Sequence, residues 1–147
     1  QITNLAQDEF KKLGIDSEVV GMDYEAYLDY LKKEPYDYDM FILGWRTSID
    51  PYYAYQVWSE FSIPSLNIGA YVNRDVEKLY EQSNRPPCET DARKQVFGQI
   101  QKAITNDAPY VFLVYHTGYA FVNQRVIPNE ATKLGMTYAP AQWYISK

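Results

Sequence analysis

The chain has 147 residues, with 14 Lys and Arg against 19 Asp and Glu and a formal net charge of −5. This length suits a single domain with a buried core, and the acidic balance argues against a nucleic-acid binder because no basic stripe is available to neutralise phosphates. No apolar run approaches the roughly 20 residues that span a bilayer. The single cysteine, Cys88, excludes an intrachain disulfide framework and a multi-cysteine metal site.

The first third of the chain follows the helix–strand–helix–strand order typical of a parallel α/β sheet. Apolar residues at helical spacing predict a helix from Ile2 to Leu13, which Gly14 ends. Asp23 is the predicted N-cap of a second helix, which ends before Pro35.

Two predicted strands separate these helices. The first is Ile15–Val20, and the second is Met40–Trp45, which is apolar throughout. A continuous apolar run of this length is typical of a strand that is covered on both faces.

The second half of the chain is predicted to contain three helices and further strands. Asp50-Pro51 indicates a short helix to Trp58, because Asp is a good N-cap and Pro is preferred at the first helical position. Asn73 caps the next helix, and a longer helix runs from about Thr90 to Asn106. The remaining predicted strands are Tyr110–Tyr115, Tyr119–Asn123 and Gln142–Ile145.

Motifs for catalysis and for metal or phosphate binding are weak in this sequence. His116 is the only histidine, and no serine lies in a G-x-S-x-G turn that would pair with it. Asp37 and Asp39 precede the second strand, whereas ligands of open α/β sheets gather at the carboxyl ends of strands. The sequence therefore predicts no enzyme, no cofactor and no metal site.

The segment Trp45–Tyr53, called the rim below, is the strongest candidate for a binding site. It follows the carboxyl end of the apolar strand and brings an indole, a guanidinium, hydroxyls and phenols together, groups that stack on and hydrogen-bond to a small polar ligand. The alternative is a tight turn with Trp45 in the core, and the residues alone favour neither reading. The candidate ligand-binding residues are Trp45, Arg46, Thr47, Ser48, Asp50 and Tyr52.

Several motifs, in order, resemble the C-terminal part of the family 5 extracellular solute-binding proteins, the peptide- and nickel-type receptors of ABC importers. They extend over most of Ile2 to Tyr115. The residues that carry the resemblance are Leu5, Phe10-Lys11-Lys12-Leu13-Gly14-Ile15-Asp16, Tyr36-Asp37-Tyr38-Asp39-Met40, Gly44-Trp45, Asp50-Pro51, Asn67, Gly69-Ala70-Tyr71, Asn73, Val76, Glu77, Leu79, Arg93 to Ile104 and Asp107-Ala108-Pro109-Tyr110-Val111.

This resemblance implies one lobe of a type II periplasmic-binding-protein fold, an α/β lobe with a mixed, mainly parallel sheet flanked by helices. Residues 1–121 would form the second lobe, and residues 122–147 would be a hinge and crossover tail that returns to the other lobe. The chain would then be a fragment of a two-lobed, extracytoplasmic receptor. Its partners would be the first lobe, an ABC importer permease and a peptide-like, sugar or anionic solute, and the isolated lobe could self-associate.

The resemblance also implies a role for each rim residue. Trp45 would stack on the ligand, while Arg46, Thr47 and Ser48 would orient it. Peptide-binding members have an Asp shortly after the strand Trp that anchors the peptide amino terminus, but Thr47 or Ser48 stands there in this sequence. Because a buried ammonium without a carboxylate partner is costly, we expect a ligand other than a peptide with a free amino terminus.

Two other classes of function remain open at this stage. One is a small hydrolase that uses His116 or the Asp37/Asp39 pair, which requires a nucleophile or carboxylate within hydrogen-bond reach in a cleft. The other is an interaction domain whose 15 tyrosines form an exposed patch.

Overall fold

A computed structural model describes residues 2–46, 48–86, 89–115, 117, 119, 121–128 and 140–146. The chain divides into two compact units, residues 1–109 and residues 110–147. The candidate residues Thr47, Cys88 and His116 lie outside the described residues. The division into a lobe and a tail after residue 121 stays a prediction.

The first unit is helical, and the second contains a small sheet. The α-helices are α1 (Ile2–Lys12), α2 (Tyr24–Lys32), α3 (Tyr55–Trp58), α4 (Arg74–Ser83) and α5 (Thr90–Asp107). Short 3-10 helices span Pro51–Ala54, Glu60–Ser62 and Pro140–Gln142. Strands β1 (Val126–Ile127) and β2 (Tyr144–Ile145) pair antiparallel, with Val126 opposite Ile145.

The predicted helix starts are confirmed at three capping residues. Asp23, Asp50 and Asn73 each have extended backbone, and each side chain accepts a hydrogen bond from a backbone N–H in the first turn of its helix. These caps satisfy donors that have no partner inside the helix. At the other end of α5, Ala108 adopts the left-handed conformation (φ 47°) and returns its N–H to the Ile104 carbonyl oxygen.

The core of the first unit lies between α4 and α5, which form the most extensive contact among the described elements. Val76 and Tyr80 of α4 are buried, as are Val96, Ile100 and Ile104 of α5. The spacing of four residues in each set places one apolar stripe of each helix against the other. Outside these two helices, the buried apolar residues are Leu31, Trp58 and Ile68.

The prediction that Met40–Trp45 is covered on both faces is wrong. Met40 is 63% exposed and Ile42 is exposed as well, whereas Phe41, Leu43 and Trp45 are partly covered, so only alternate side chains pack inward. No strand is assigned to the described residues of this segment, nor to those of Ile15–Val20, Tyr110–Tyr115 and Tyr119–Asn123. In the described chain, the sheet is the antiparallel β1–β2 pair, rather than the mainly parallel sheet that was expected.

Tyr27 of α2 hydrogen-bonds to the backbone of this segment, as a neighbouring strand would. The Tyr27 hydroxyl donates to the Ile42 carbonyl oxygen at 2.9 Å and accepts from the Ile42 N–H at 3.1 Å. Both polar groups of one peptide residue are therefore satisfied without a strand ladder. Partial burial raises the pKa of the Tyr27 hydroxyl, so this hydroxyl stays neutral and keeps its proton for the bond.

Helix α1 forms as predicted, but its apolar stripe is not buried. None of the α1 residues is buried, and Leu5 and the following Leu13 are both exposed. Helical spacing of apolar residues thus predicts α1 correctly, but it does not predict whether the apolar face of the helix is buried.

Candidate functional site

The rim begins at Trp45, the last residue of the apolar segment Met40–Trp45, and enters a helical turn at Asp50. One Asp50 carboxylate oxygen accepts from the Tyr52 backbone N–H at 2.9 Å, and Pro51 occupies the first position of the turn. The 3-10 helix Pro51–Ala54 is followed directly by α3, which ends at Trp58. Local capping chemistry therefore sets where the helix begins within the rim.

Three predicted site residues line one open concavity. It has a volume of about 290 Å³, and its lining residues are Ser48, Asp50, Tyr52, Tyr53, Tyr55 and Gln56. Hydroxyl, amide and phenol groups are thereby combined with apolar ring faces, a combination suited to a polar organic ligand.

The structure does not bring all predicted site residues into this concavity. Arg46 is exposed but is not part of the lining. Trp45 is half-buried and also lies outside the lining, and its indole Nε1 is buried without a hydrogen-bond partner among the described residues. Thr47 lies outside the described residues, so the ligand-binding role of these three residues stays a prediction.

Tyr55 and Gln56 line the concavity although they lie outside the predicted segment, and Tyr53 lies within that segment but was not among the candidate ligand-binding residues. Their signal was the Asp50-Pro51 helix start, because a turn that begins at Pro51 returns to the same side after three to four residues. Tyr52 and Tyr55 are three residues apart and their rings stack, with centroids 5.5 Å apart and an interplanar angle of 29°.

An ion pair connects the rim to helix α5. Arg93 Nη2 donates to Asp50 at 2.8 Å, and Arg93 Nε donates to the Ser83 carbonyl oxygen at the end of α4 at 3.0 Å. The guanidinium also lies over the Phe97 ring, 5.3 Å from its centroid. Arg93 therefore contacts the rim, α4 and α5 with one planar group.

The cap bond from Tyr52, together with the hydrogen bond from Arg93, stabilises the ionised form of the Asp50 carboxyl. The hydrogen bond from the Tyr52 backbone N–H, followed by that from Arg93, holds the pKa of the Asp50 carboxyl below its ordinary value. Both bonds are made to the ionised form, which they favour. Among the residues lining the concavity, the single carboxylate is thus already paired with a cation.

Four aromatic rings from the rim, α3, α4 and α5 pack against one another. Tyr80 contacts Tyr55, Tyr52 and Phe97, with ring centroids 5.2, 6.1 and 6.1 Å away. Tilted and edge-on pairs at these distances are favourable arrangements for aromatic side chains. Burial raises the pKa of the Tyr80 hydroxyl, so the ring remains uncharged in the core.

The carboxylates considered for catalysis lie elsewhere. Asp37 and Asp39 are both exposed and precede the apolar segment Met40–Trp45, whereas the rim begins at the other end of that segment. In the described part of the chain, no three His, Cys, Asp or Glu side chains lie close enough together to hold a metal ion.

The chain is similar to a known protein in both structure and sequence. No model of a known protein family matches the chain. The solved structure of the oligopeptide-binding protein AppA from Bacillus subtilis, in complex with a nonapeptide, superposes with a TM-score of 0.77 at 22% identity, over 99% of this chain and 29% of that one. The fold is that of a type II periplasmic-binding protein, as predicted.

The sequence comparison agrees with the structural one. The chain is 23% identical to AppA of Bacillus subtilis (strain 168) over an alignment of 147 positions, which covers 99% of this chain and 27% of AppA. The chain is a homologue of this family 5 solute-binding protein and spans little more than a quarter of its length. The predicted family resemblance is confirmed. No helix among the described residues is long and apolar enough to cross a membrane.

Proposed function

We propose that this chain forms part of a non-catalytic receptor that captures a peptide-like solute for an ABC importer, and that it supplies one lobe of that receptor. The observation that carries the proposal is the match over 99% of the chain to a protein named and solved as an oligopeptide-binding protein. The receptor's other lobe and the importer permease would be its partners. No cofactor is needed, because capture makes and breaks no covalent bond.

The rim would supply one wall of the binding cleft. Ser48, Asp50 and Tyr52 line a concavity next to the exposed Tyr53 ring, so a solute can contact hydroxyl groups and a ring face together. Trp45, Arg46 and Thr47 would complete the wall when the other lobe of the receptor closes by hinge motion. A single lobe buries less of the ligand, so it should bind weakly.

The charge arrangement supports a ligand other than a peptide with a free amino terminus. Asp50 is the carboxylate of the concavity, and Arg93 already pairs with it at 2.8 Å. An incoming ammonium group would have to compete with that guanidinium, which is held by two further contacts. A blocked or internal peptide segment, a sugar or an anionic group would not meet this competition.

We expect an extracytoplasmic location for the receptor, on the periplasmic side or at the cell surface. This expectation is supported by the homology with a family 5 solute-binding protein. Capture before import requires the binding site to face the outside of the membrane.

Solution NMR titration of the chain tests the proposal, because chemical shifts report weak binding residue by residue. The probes are a mixed-sequence nonapeptide pool with acetylated amino termini and the same pool with free amino termini. We expect saturable shifts in residues 48–56, with tighter binding of the acetylated pool. Saturable binding of the free pool with equal or higher affinity would contradict the proposed ligand class, and no saturable shifts with either pool would contradict peptide capture.

A matched pair of variants ties the signal to the rim. Tyr53→Ala removes an exposed ring from the concavity, whereas Tyr24→Ala removes an exposed ring at the start of α2. We expect weaker binding only in the first variant. Equal losses in both would show that the peptides bind nonspecifically to exposed tyrosines.

A further inference from the structure

Five side chains from three parts of the first unit form a closed set of contacts, called the anchor cluster below. They are Asp50, Tyr52, Tyr80, Arg93 and Phe97. Asp50 contacts Arg93, Arg93 lies over Phe97, Phe97 contacts Tyr80, Tyr80 contacts Tyr52, and the Tyr52 N–H returns to Asp50.

We propose that Arg93 is a positioning residue for solute binding, which holds the rim in its binding geometry through Asp50 without being part of the concavity. This inference rests on the proposed function. Arg93 is not among the residues that line the concavity, whereas its ion-pair partner Asp50 is. Any effect of Arg93 on a solute in the concavity is therefore expected to pass through Asp50.

The geometry of Arg93 explains why an arginine is needed. Nη2 reaches Asp50 at 2.8 Å while Nε reaches the Ser83 carbonyl oxygen at 3.0 Å, so two donors of one rigid plane are used in different directions. Stacking over Phe97 fixes the tilt of that plane. A lysine ammonium is a flexible point charge and cannot reproduce the fork.

Burial distinguishes this ion pair from the other ion pairs of the described chain. The Arg93 side chain is 27% exposed, whereas the basic partner of each other pair is more than two-thirds exposed. A partly buried, threefold-held guanidinium loses little further conformational freedom when it pairs, which makes the contact more effective than a typical surface pair.

The aromatic members give the rim a second attachment to the same helix. Tyr52 belongs to the rim, and its ring rests against Tyr80, which in turn contacts Phe97 one turn beyond Arg93 on α5. Because the ionic and the aromatic contacts both connect the rim to α5, the turn that begins at Asp50 is held at Asp50 itself and at Tyr52. Removal of Arg93 should loosen the turn without unfolding the α4–α5 core.

The test compares Arg93→Gln and Arg93→Lys with Arg74→Gln, which removes an exposed arginine that pairs with Glu60 on the same unit. Two measurements are made on each chain: amide hydrogen exchange of residues 50–56, and the dissociation constant for the acetylated nonapeptide pool by NMR titration. Exchange does not depend on any ligand. The single variant Asp50→Asn and the double variant Asp50→Asn/Arg93→Gln complete a double-mutant cycle.

We expect the Tyr52 amide to exchange about fivefold faster in Arg93→Gln and the dissociation constant to rise about fivefold. Arg93→Lys should lose most of the same protection and affinity, whereas Arg74→Gln should match the unmodified chain in both. In the cycle, the second substitution should add little to the first. Additive losses would place the effect of Arg93 outside its contact with Asp50 and overturn the inference.

The remaining outcomes separate this inference from the proposed function. Faster exchange with unchanged peptide affinity would overturn the positioning role, since the rim would be loosened without consequence for binding. If the unmodified chain binds no peptide, the proposed function fails and the positioning of a peptide site by Arg93 is overturned with it, while the exchange data still decide whether Arg93 orders the rim.

Discussion

Arg93 and Asp50 lie 43 residues apart in the chain and meet at 2.8 Å. Their contact joins the first turn of a helical segment that lines an open concavity to the long helix α5 that forms one side of the core. The same Asp50 oxygen accepts from the Tyr52 N–H, so one carboxylate serves as both helix cap and ion-pair partner. The candidate site is therefore attached to a helix that carries buried core residues of the unit.

Acidification should weaken the rim through Asp50. The folded state lowers the pKa of this carboxyl below its ordinary value of 3.8, through the Tyr52 N–H and then Arg93. A lowered carboxyl pKa contributes stability that is fully present above pH 3.8 and is lost as the pH falls through the folded-state pKa. Because Asp50 is 58% exposed, we expect a loss of about 0.5–1 kcal/mol in the free energy of unfolding.

Asp50→Asn isolates this contribution, because asparagine keeps the cap but not the charge. Denaturant unfolding at several acidic pH values should show a shallower pH dependence in this variant than in the unmodified chain. Asp75→Asn is the control, since Asp75 is exposed and pairs only three residues away with Lys78. An unchanged slope in Asp50→Asn would contradict the assignment.

Asn67 should be the most sensitive polar residue of the first unit. It is fully buried, its amide donates to the carbonyl oxygens of Ser59 at 3.0 Å and Tyr71 at 2.7 Å, and its side-chain oxygen accepts from the Tyr71 N–H at 3.0 Å. Asn67→Ala removes the partners of the Tyr71 N–H and carbonyl oxygen, whereas the Ser59 carbonyl oxygen keeps its hydrogen bond from the Ser62 N–H. We expect a loss of about 3 kcal/mol in the free energy of unfolding, measured by denaturant titration.

The matched control is Asn106→Ala on the exposed side of α5. This change removes no buried partner and should alter the free energy of unfolding by less than about 0.5 kcal/mol. Similar losses at the two positions would mean that the Asn67 hydrogen bonds contribute nothing beyond an exposed amide.

Alkaline stability should depend on Tyr71. Its hydroxyl donates to Asp107 at 2.6 Å, and burial together with this bond raises its pKa from 10.0 to about 12. Folding thus favours the protonated hydroxyl, so its contribution is complete below pH 10.0 and is lost as the pH rises through about 12. Tyr71→Phe should cost about 1 kcal/mol at neutral pH and should reduce the alkaline decline in stability.

The ring of Tyr71 is retained in this variant, so its edge-on contact with Trp58, 5.7 Å between centroids, is not removed. Tyr24→Phe is the control because Tyr24 is exposed. Thermal unfolding monitored by circular dichroism from neutral to alkaline pH compares the two. Parallel pH curves for both variants would rule out a special role for the Tyr71 hydroxyl.

Leu31 should show that α2 is packed against the rest of the unit. It is fully buried, and it is the buried residue of that helix. Leu31→Ala creates a cavity and should lower the free energy of unfolding by about 3 kcal/mol. Leu13→Ala, at an exposed leucine, should change it by less than about 0.5 kcal/mol, and a comparable loss there would indicate that Leu13 is covered in solution.

Part of the candidate site follows from neighbouring residues alone. The Asp50-Pro51 turn, with its hydrogen bond to the Tyr52 N–H, is a contact between residues two apart, and the sequence pattern predicts it correctly. Ser48, Asp50 and Tyr52 were predicted as site residues and do line one concavity. Tyr53, Tyr55 and Gln56 were not, because a helix start alone does not indicate which side of the turn stays open.

The sequence by itself determined the helices and their caps, since hydrogen bonds from Asp23, Asp50 and Asn73 and the apolar spacing of α4 and α5 act over a few residues. Only the tertiary structure decided that Arg93 meets Asp50, and that Ile42 is satisfied by the Tyr27 hydroxyl. It also decided that alternate side chains of residues 40–45 stay exposed. Such outcomes depend on which distant element comes to lie alongside, and no local pattern of residue types encodes that neighbour.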